Sequence, residues 1–403
     1  MPRLGLVLPT SGYRGPDFVS AAVELGVELV VATDGPLPLS LGVASVVPID
    51  CSDPTVAAAA IVAAAADRSL DAVIGVDDSG VLIAALASAA LGLRHNPVAA
   101  VAATRDKIVM REFLEAAGVP QPRFASIDDA DGAVGVADAI GYPVVVKPRN
   151  LSASRGVIRA DDRHSARAAA QRVASIVAAA GESLPMLVEE YLEGDEVAVE
   201  ALVGTGGLEV LAVFDKPDPL TGPYFEETIY VTPSRHPAEV TEAIELVVGE
   251  AVAALGLVHG PVHAELRLTD GGPKVIEVAS RSIGGLCGRS LRFGMLRQSL
   301  ESLLIRAALG MPRRGMGREG AASGAMMIPI ARGGILRAVR GLAAVGEVEG
   351  VSSVEITVPI GRRIDPLPEG DRYLGFIFAS GESAGEVEAA LREAHSLLEI
   401  EIE

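Results

Sequence analysis

The chain has 403 residues, enough for two or three domains, and carries 34 basic against 53 acidic side chains, a net charge of −19. That balance argues against a nucleic-acid partner, since phosphate contacts need a basic footprint, and 3% aromatic content with no tryptophan leaves few stacking platforms. The longest purely apolar run, 56–66, is too short to cross a bilayer, and two cysteines, Cys51 and Cys287, make neither a disulfide framework nor a zinc spacing. The first residues lack the apolar segment and small-residue cleavage site of a signal peptide, so a cytoplasmic chain with no membrane partner is expected.

Segments 4–8, 29–33, 44–49 and 72–76 are β-like apolar runs, alternating with helical patterns near 16–25, 54–66 and 80–91. This is βαβ order with a parallel sheet. The first turn, 9–15, lacks the Gly-x-Gly-x-x-Gly fingerprint, which argues against NAD there. After His95-Asn96-Pro97 one helix is expected over 98–117, carrying Lys107 and ending at Gly118, with Pro120 and Pro122 enforcing an extended connection. A Val-Val-Val strand then ends at Lys147, where a buried ammonium needs a partner. The loop 150–157 contains Ser152, Ser154 and Gly156, small enough for backbone amides to approach phosphate oxygens, although a plain hairpin loop has the same composition. A helix at 163–180 precedes a strand at 186–190, followed by Tyr191, Leu192 and a further glutamate, Glu196. The strand 208–216 ends in Asp215-Lys216, and the Pro/Gly-rich stretch 217–233, with Glu226 and Glu227, reads as a long functional loop. A helix at 237–255 leads to the segment 263–281.

That segment reads as a hairpin, because Asp270-Gly271 lies between two alternating runs. Alternation puts Ala264, Leu266, Leu268, Ile276 and Val278 on a core face and His263, Glu265, Arg267, Glu277 and Arg281 on the other. With the turn near Gly271, Glu265 lies opposite Glu277. Like charges so placed destabilise a sheet, and a hard divalent cation between them removes the conflict. From the hairpin alone, a solvent-facing strand surface explains the pair equally well. Beyond Arg281 come a small-residue segment at 282–289, a helix to about Leu309, a Gly/Arg-rich linker at 310–324 and a separate α+β unit with a helix at 384–398.

Taken in order, helix lysine, strand-end lysine, small-residue loop, Glu-Glu-Tyr-Leu with a further glutamate, then paired hairpin glutamates followed by arginine, the chain resembles the ATP-grasp superfamily over about residues 1–320. The resemblance implies an α/β and α+β multidomain protein: a Rossmann-like α/β domain at 1–95, an ATP-grasp domain at 96–318 with a lid at about 120–190, and a small C-terminal α+β domain at 319–403. It implies that Lys107 and Lys147 hold the ATP phosphates under the loop of Ser152, Ser154 and Gly156. Glu189, Glu190, Tyr191 and Leu192 would read adenine, and Glu196 the ribose. Glu265 and Glu277 would bind Mg²⁺ or Mn²⁺, and Arg281 would steady an acyl phosphate. Phosphoryl transfer to a carboxylate gathers negative oxygens that metal ions and fixed cations must neutralise, which suits this set. One departure is Ala279, where the superfamily usually has a metal-binding asparagine, so another residue or water completes any second metal site.

Within the superfamily the likeness is to L-amino acid ligases and related carboxylate–amine ligases. There Glu227 would be a replacement metal ligand and substrate contact, a charged loop tip being its alternative reading. His263, Arg281, Ser282, Gly284 and Gly285 would line the acceptor site. The expected activity is ATP-dependent amide formation between a small-molecule carboxylate and an amine, with ADP and phosphate released. A biotin-carboxylase-type carboxylase and a non-catalytic ATP-binding regulatory module are the alternatives. A homodimer is compatible with the family. Cys287 is assigned no chemistry, and Lys216 is left without a role.

Overall fold

The computed structural model of the chain describes residues 1–10, 12–36, 45–313 and 315–403. Ser11 of the first turn, Ala44 of the expected third strand and Arg314 of the expected linker lie outside the described residues. The N-terminal sheet has four parallel strands in the order Ser45–Pro48, Glu28–Thr33, Arg3–Val7, Ala72–Gly75. Both faces are covered, which is why these strands read as continuous apolar runs. Helix Gly15–Glu24 packs Phe18 and Val19 on Leu4, Leu6 and Val31, while Pro54–Ala64 and Asp78–Leu91 pack Ile61 and Ile83 on Val7, Val30 and Val73.

The expected single helix at 98–117 is two, Val98–Arg105 and Lys107–Ala116. Asp106 interrupts them because its extended backbone lets its carboxylate accept the free N–H groups of Ile108 and Val109, making it the N-cap of the second helix. Lys107 is thereby the first residue of a helix rather than a mid-helix surface residue. A four-stranded antiparallel sheet follows, in the order Phe124–Ile127, Met186–Glu190, Val144–Pro148, Ile158–Ala160, with helices Ala130–Ile140 and Arg163–Ala179 sharing its core.

The centre of the molecule is an eight-stranded sheet in the order Gly272–Ala279, Gly260–Thr269, Asp195–Gly204, Gly207–Asp215, Ile229–Thr232, Ala322–Ile328, Gly375–Gly381, Val351–Ile356. Helix Ala238–Leu255 covers its first half and helix Ala384–Ser396 its second. One sequence expectation is corrected here. The stretch 217–233 is not all loop: Ile229–Thr232 is a fully buried strand. Ala322–Ile328 pairs with that strand and carries the central sheet into the C-terminal part of the chain. The segment after Arg281 also differs. A short 3₁₀ turn, Cys287–Ser290, and a two-residue ladder precede helix Leu300–Ala308, so the helix is shorter than expected.

The hairpin forms as read, with Glu265 opposite Glu277 and His263 opposite Ala279. Its second strand carries a bulge, since Leu266 pairs with Val275. An extra residue in one strand shifts the alternation. Val275 therefore enters the core and Ile276 lines the neighbouring cavity, reversing the expected place of Ile276.

Candidate active site

A cavity of about 510 Å³ opens where the N-terminal sheet, the four-stranded sheet and the central sheet meet. Lys107, Lys147, Ser152, Ser154, Glu189, Glu190, Tyr191, Leu192, Glu196, Glu227, His263, Glu265, Glu277, Arg281, Gly284 and Gly285 all line it. Two of the expected residues do not. The Ser282 hydroxyl is buried and accepts a hydrogen bond from Arg14. The Gly156 amide donates to the Pro368 carbonyl at 2.9 Å, so it is not free to approach a phosphate. In both cases the partner comes from a distant part of the chain, which local spacing does not reveal.

Lys147 finds its partner in Glu189, 2.7 Å away, and Arg111 donates to the same carboxylate from Nε at 2.7 Å. All three side chains are buried. Burial works against ionising Glu189, but Arg111 and Lys147 outweigh it and hold the carboxyl down at about 2. Glu189 is therefore the anchor that orients Lys147 into the cavity. Lys107 donates to the Leu151 carbonyl at 2.7 Å and lies 3.4 Å from Glu277, so the 150–157 loop and the hairpin share one cation. Glu190 faces Arg123 at 3.3 Å.

On the hairpin, His263 is clamped between Glu200 at 2.6 Å and Glu265 at 3.2 Å. Burial alone would lower its pKa, and the two carboxylates raise it to about 9, so both ring nitrogens donate at neutral pH. Glu265 is held well below the usual carboxylate range: burial opposes ionisation, and Lys216, His263 and Arg281 overcome it. Glu227 is displaced upward by burial and by Glu265 and Glu196, against the pull of Lys216. It accepts hydrogen bonds from Tyr230 at 2.7 Å and Tyr373 at 3.4 Å. Glu196, expected near a ribose, is engaged by Lys216 at 2.7 Å and Arg267 at 2.8 Å. Arg281 donates from Nε to Asp78 at 2.8 Å. Cys287 lines the cavity, but burial keeps its thiol strongly protonated, in line with the absence of an assigned role.

Several lining residues escape the sequence reading. Asp77 and Asp78 follow the last parallel strand and start helix Asp78–Leu91, the strand–helix crevice where open α/β sheets bind ligands, and that position was a usable signal. Arg105, Arg155 and the C-terminal trio Asp371, Arg372 and Tyr373 also face the cavity, as does Arg267 from the polar face of the hairpin. The trio comes from a segment with no motif of its own. Hard carboxylate donors at 265 and 277, facing one another beside two lysines, fit a divalent cation and a phosphate chain.

A family model of the ATP-grasp domain matches residues 140–290, and one of the ATP-grasp N-terminal domain matches 19–95. The chain belongs to the ATP-grasp superfamily. Residues 326–403 match the L-amino acid ligase C-terminal domain 2. The ATP-grasp chain is similar to the crystal structure of L-amino acid ligase from Bacillus licheniformis, with a TM-score of 0.84 and 28% identity over 100% of this chain and 99% of that one. Alanine–anticapsin ligase of Bacillus subtilis (strain 168) is 29% identical over 213 residues, 48% of this chain and 44% of the relative. D-alanine–D-alanine ligase of Aromatoleum aromaticum is 32% identical over 198 residues, 48% of this chain and 61% of the relative. The chain thus spans about half the length of the curated relatives it matches. A carboxyaminoimidazole ribonucleotide synthase from Aspergillus clavatus, complexed with ATP, has the same fold at a TM-score of 0.77 and 16% identity. Among the described residues no helix is long and apolar enough to cross a membrane.

Proposed function

We propose that this ATP-grasp protein is a carboxylate–amine ligase that couples ATP cleavage to ADP and phosphate with formation of an amide between amino acids or an amino acid and a small carboxylic acid. The observation that carries the reading is one cavity in which Lys107, Lys147 and Arg281 face the opposed carboxylates of Glu265 and Glu277. In that reading Glu265 and Glu277 hold Mg²⁺ or Mn²⁺, which supplies charge neutralisation to the phosphate oxygens. Lys107 and Lys147 bind the phosphates as point charges, with the loop of Ser152 and Ser154 above them. Glu190, Tyr191 and Leu192 contact the base, and Glu196 the ribose. The substrate carboxylate attacks the terminal phosphorus, the bond to ADP breaks, and Arg281 steadies the acyl phosphate.

The amine then attacks the acyl carbon and phosphate leaves. An amino acid arrives as an ammonium and must lose a proton before it attacks. Glu227, a carboxylate beside Lys216 whose affinity for a proton is raised by burial and by Glu265 and Glu196, is suited to take that proton. His263, Gly284 and Gly285 border the acceptor side. The test is a phosphate-release screen over pairs of amino acids, with mass spectrometry of the products. A product whose mass equals two substrates less one water supports the ligase. Release that requires bicarbonate and biotin but ignores amino acids overturns it in favour of a carboxylase, and tight ATP binding without turnover overturns it in favour of a regulatory module.

A further inference from the structure

Lys216 stands just past strand Gly207–Asp215, and its backbone N–H still donates to the Glu196 carbonyl at 3.3 Å. That register sends its side chain into the cavity wall, where it is 3% exposed. The ammonium lies 2.7 Å from Glu196, directly against Glu227, and 3.5 Å from Glu265, with the Tyr230 ring 5.1 Å beneath it. The carboxylates of these three glutamates each offer an oxygen within 4.8 Å of the other two. Three oxygens at that separation are what a hard divalent ion coordinates, and they are equally what the three N–H bonds of one ammonium reach. Across the hairpin, Ala279 offers no ligand atom.

We propose that Lys216 is a built-in cation: its ammonium takes the place of a second divalent ion among Glu196, Glu227 and Glu265, leaving the Glu265/Glu277 pair as the single metal position among the described residues. A lysine carries a compact point charge, so it neutralises neighbouring oxygens without being lost to chelators or exchanged with solvent ions. Its neighbours fit that role. Arg267 takes the second oxygen of Glu196 at 2.8 Å, Tyr373 that of Glu227 at 3.4 Å and His263 that of Glu265 at 3.2 Å. The Glu265 oxygen 3.5 Å from Lys216 keeps a further lone pair for a metal shared with Glu277. The use made of this charge rests on the ligase reading, but the position of the lysine does not.

The experiment counts Mn²⁺ bound to the full chain by electron paramagnetic resonance, with and without a non-hydrolysable ATP analogue. Lys216→Met is expected to bind one more Mn²⁺ per chain than the wild type, in both conditions. Lys216→Arg and the double variant Lys216→Met/Glu227→Gln are expected to return to the wild-type count. An unchanged count in Lys216→Met overturns the proposal. Should that variant fold poorly, Glu227→Gln in the otherwise wild-type chain decides: the count is expected to stay constant, and loss of one Mn²⁺ shows that the nest already takes a metal. If the wild type binds no Mn²⁺ even with the nucleotide analogue, the ligase reading of Glu265 and Glu277 fails, while the gain in Lys216→Met still stands or falls by itself.

Discussion

At position 277 the neutral isostere separates charge from shape. Glu277 lines the cavity opposite Glu265 and, among the described residues, has a single long ion-pair contact, to Lys107 at 3.4 Å, so its charge is available to a ligand. Glu277→Gln is expected to lower ATP-dependent ligation by about 100-fold or more, the scale of losing one preorganised charge-stabilising group. Thermal and urea unfolding should shift by no more than about 0.5 kcal/mol, as for a substitution outside the packed core. Glu189 behaves oppositely, because Arg111 and Lys147 are buried against it. Glu189→Gln leaves those cations unpaired and is expected to cost about 3–5 kcal/mol at pH 7. The carboxyl is held near 2 in the fold against a reference of 4.5, so its stabilisation is complete above 4.5 and is lost as pH falls towards 2. Urea titrations of both proteins from pH 7 to pH 2.5 should show the gap narrowing only below 4.5. The opposed glutamates were readable because alternation and an Asp-Gly turn set a register by local rules. Ile276 was misplaced because a bulge leaves no mark in an alternating sequence, and Ser282 and Gly156 because their partners lie in remote segments.

Among the elements, the two-helix break at Asp106 determines where the first phosphate-side lysine sits. Asp106 caps the helix beginning at Lys107 and also binds Arg149, which follows the Lys147 strand. One carboxylate thus ties the mounts of both lysines together. Asp106→Ala is expected to destabilise the protein by about 1 kcal/mol through the lost cap. It should also raise the KM for ATP more than it lowers kcat, because it loosens ground-state contacts to phosphate rather than groups met in the transition state. Steady-state kinetics with varied ATP, alongside thermal melting, check both halves. The parallel strands and their helices were readable from apolar runs bounded by turn residues, as were Val144–Pro148 and Met186–Glu190, whereas strand Phe124–Ile127 was not. Strand Ile229–Thr232 was hidden because it is four residues long and follows a stretch rich in proline and glycine. Its pairing with Ala322–Ile328, nearly a hundred residues on, is what makes it a strand.

For the whole molecule, the consequence is that the C-terminal residues are structural members of the site rather than an appendage. The Gly/Arg-rich composition of 310–324 does not show how the residues beyond it join the rest, since a linker and a surface loop look alike in sequence. In the fold, Ala322–Ile328 covers the edge of Ile229–Thr232, and Phe376 packs with Tyr13 and Tyr373 at the cavity. Arg172 of helix Arg163–Ala179 also meets Glu369 through two hydrogen bonds, at 2.7 and 2.9 Å, and the Tyr373 hydroxyl reaches Glu227. A chain cut after Glu319 would expose a fully buried, apolar strand as a sheet edge, a template for pairing between molecules. Cleavage there is expected to give aggregated protein with no ATP turnover, although every residue proposed to touch ATP or the metal remains. Size-exclusion chromatography of the 1–319 fragment checks this. A soluble monomer that still binds ATP would mean that the central sheet closes without its last three strands. Substituting only Glu369→Ala keeps the sheet and removes the contact with Arg172. That variant should remain soluble and melt within about 1 kcal/mol of wild type, as expected for an exposed ion pair. The contrast between the two separates the role of the C-terminal strands in building the sheet from the contact of Glu369 with helix Arg163–Ala179.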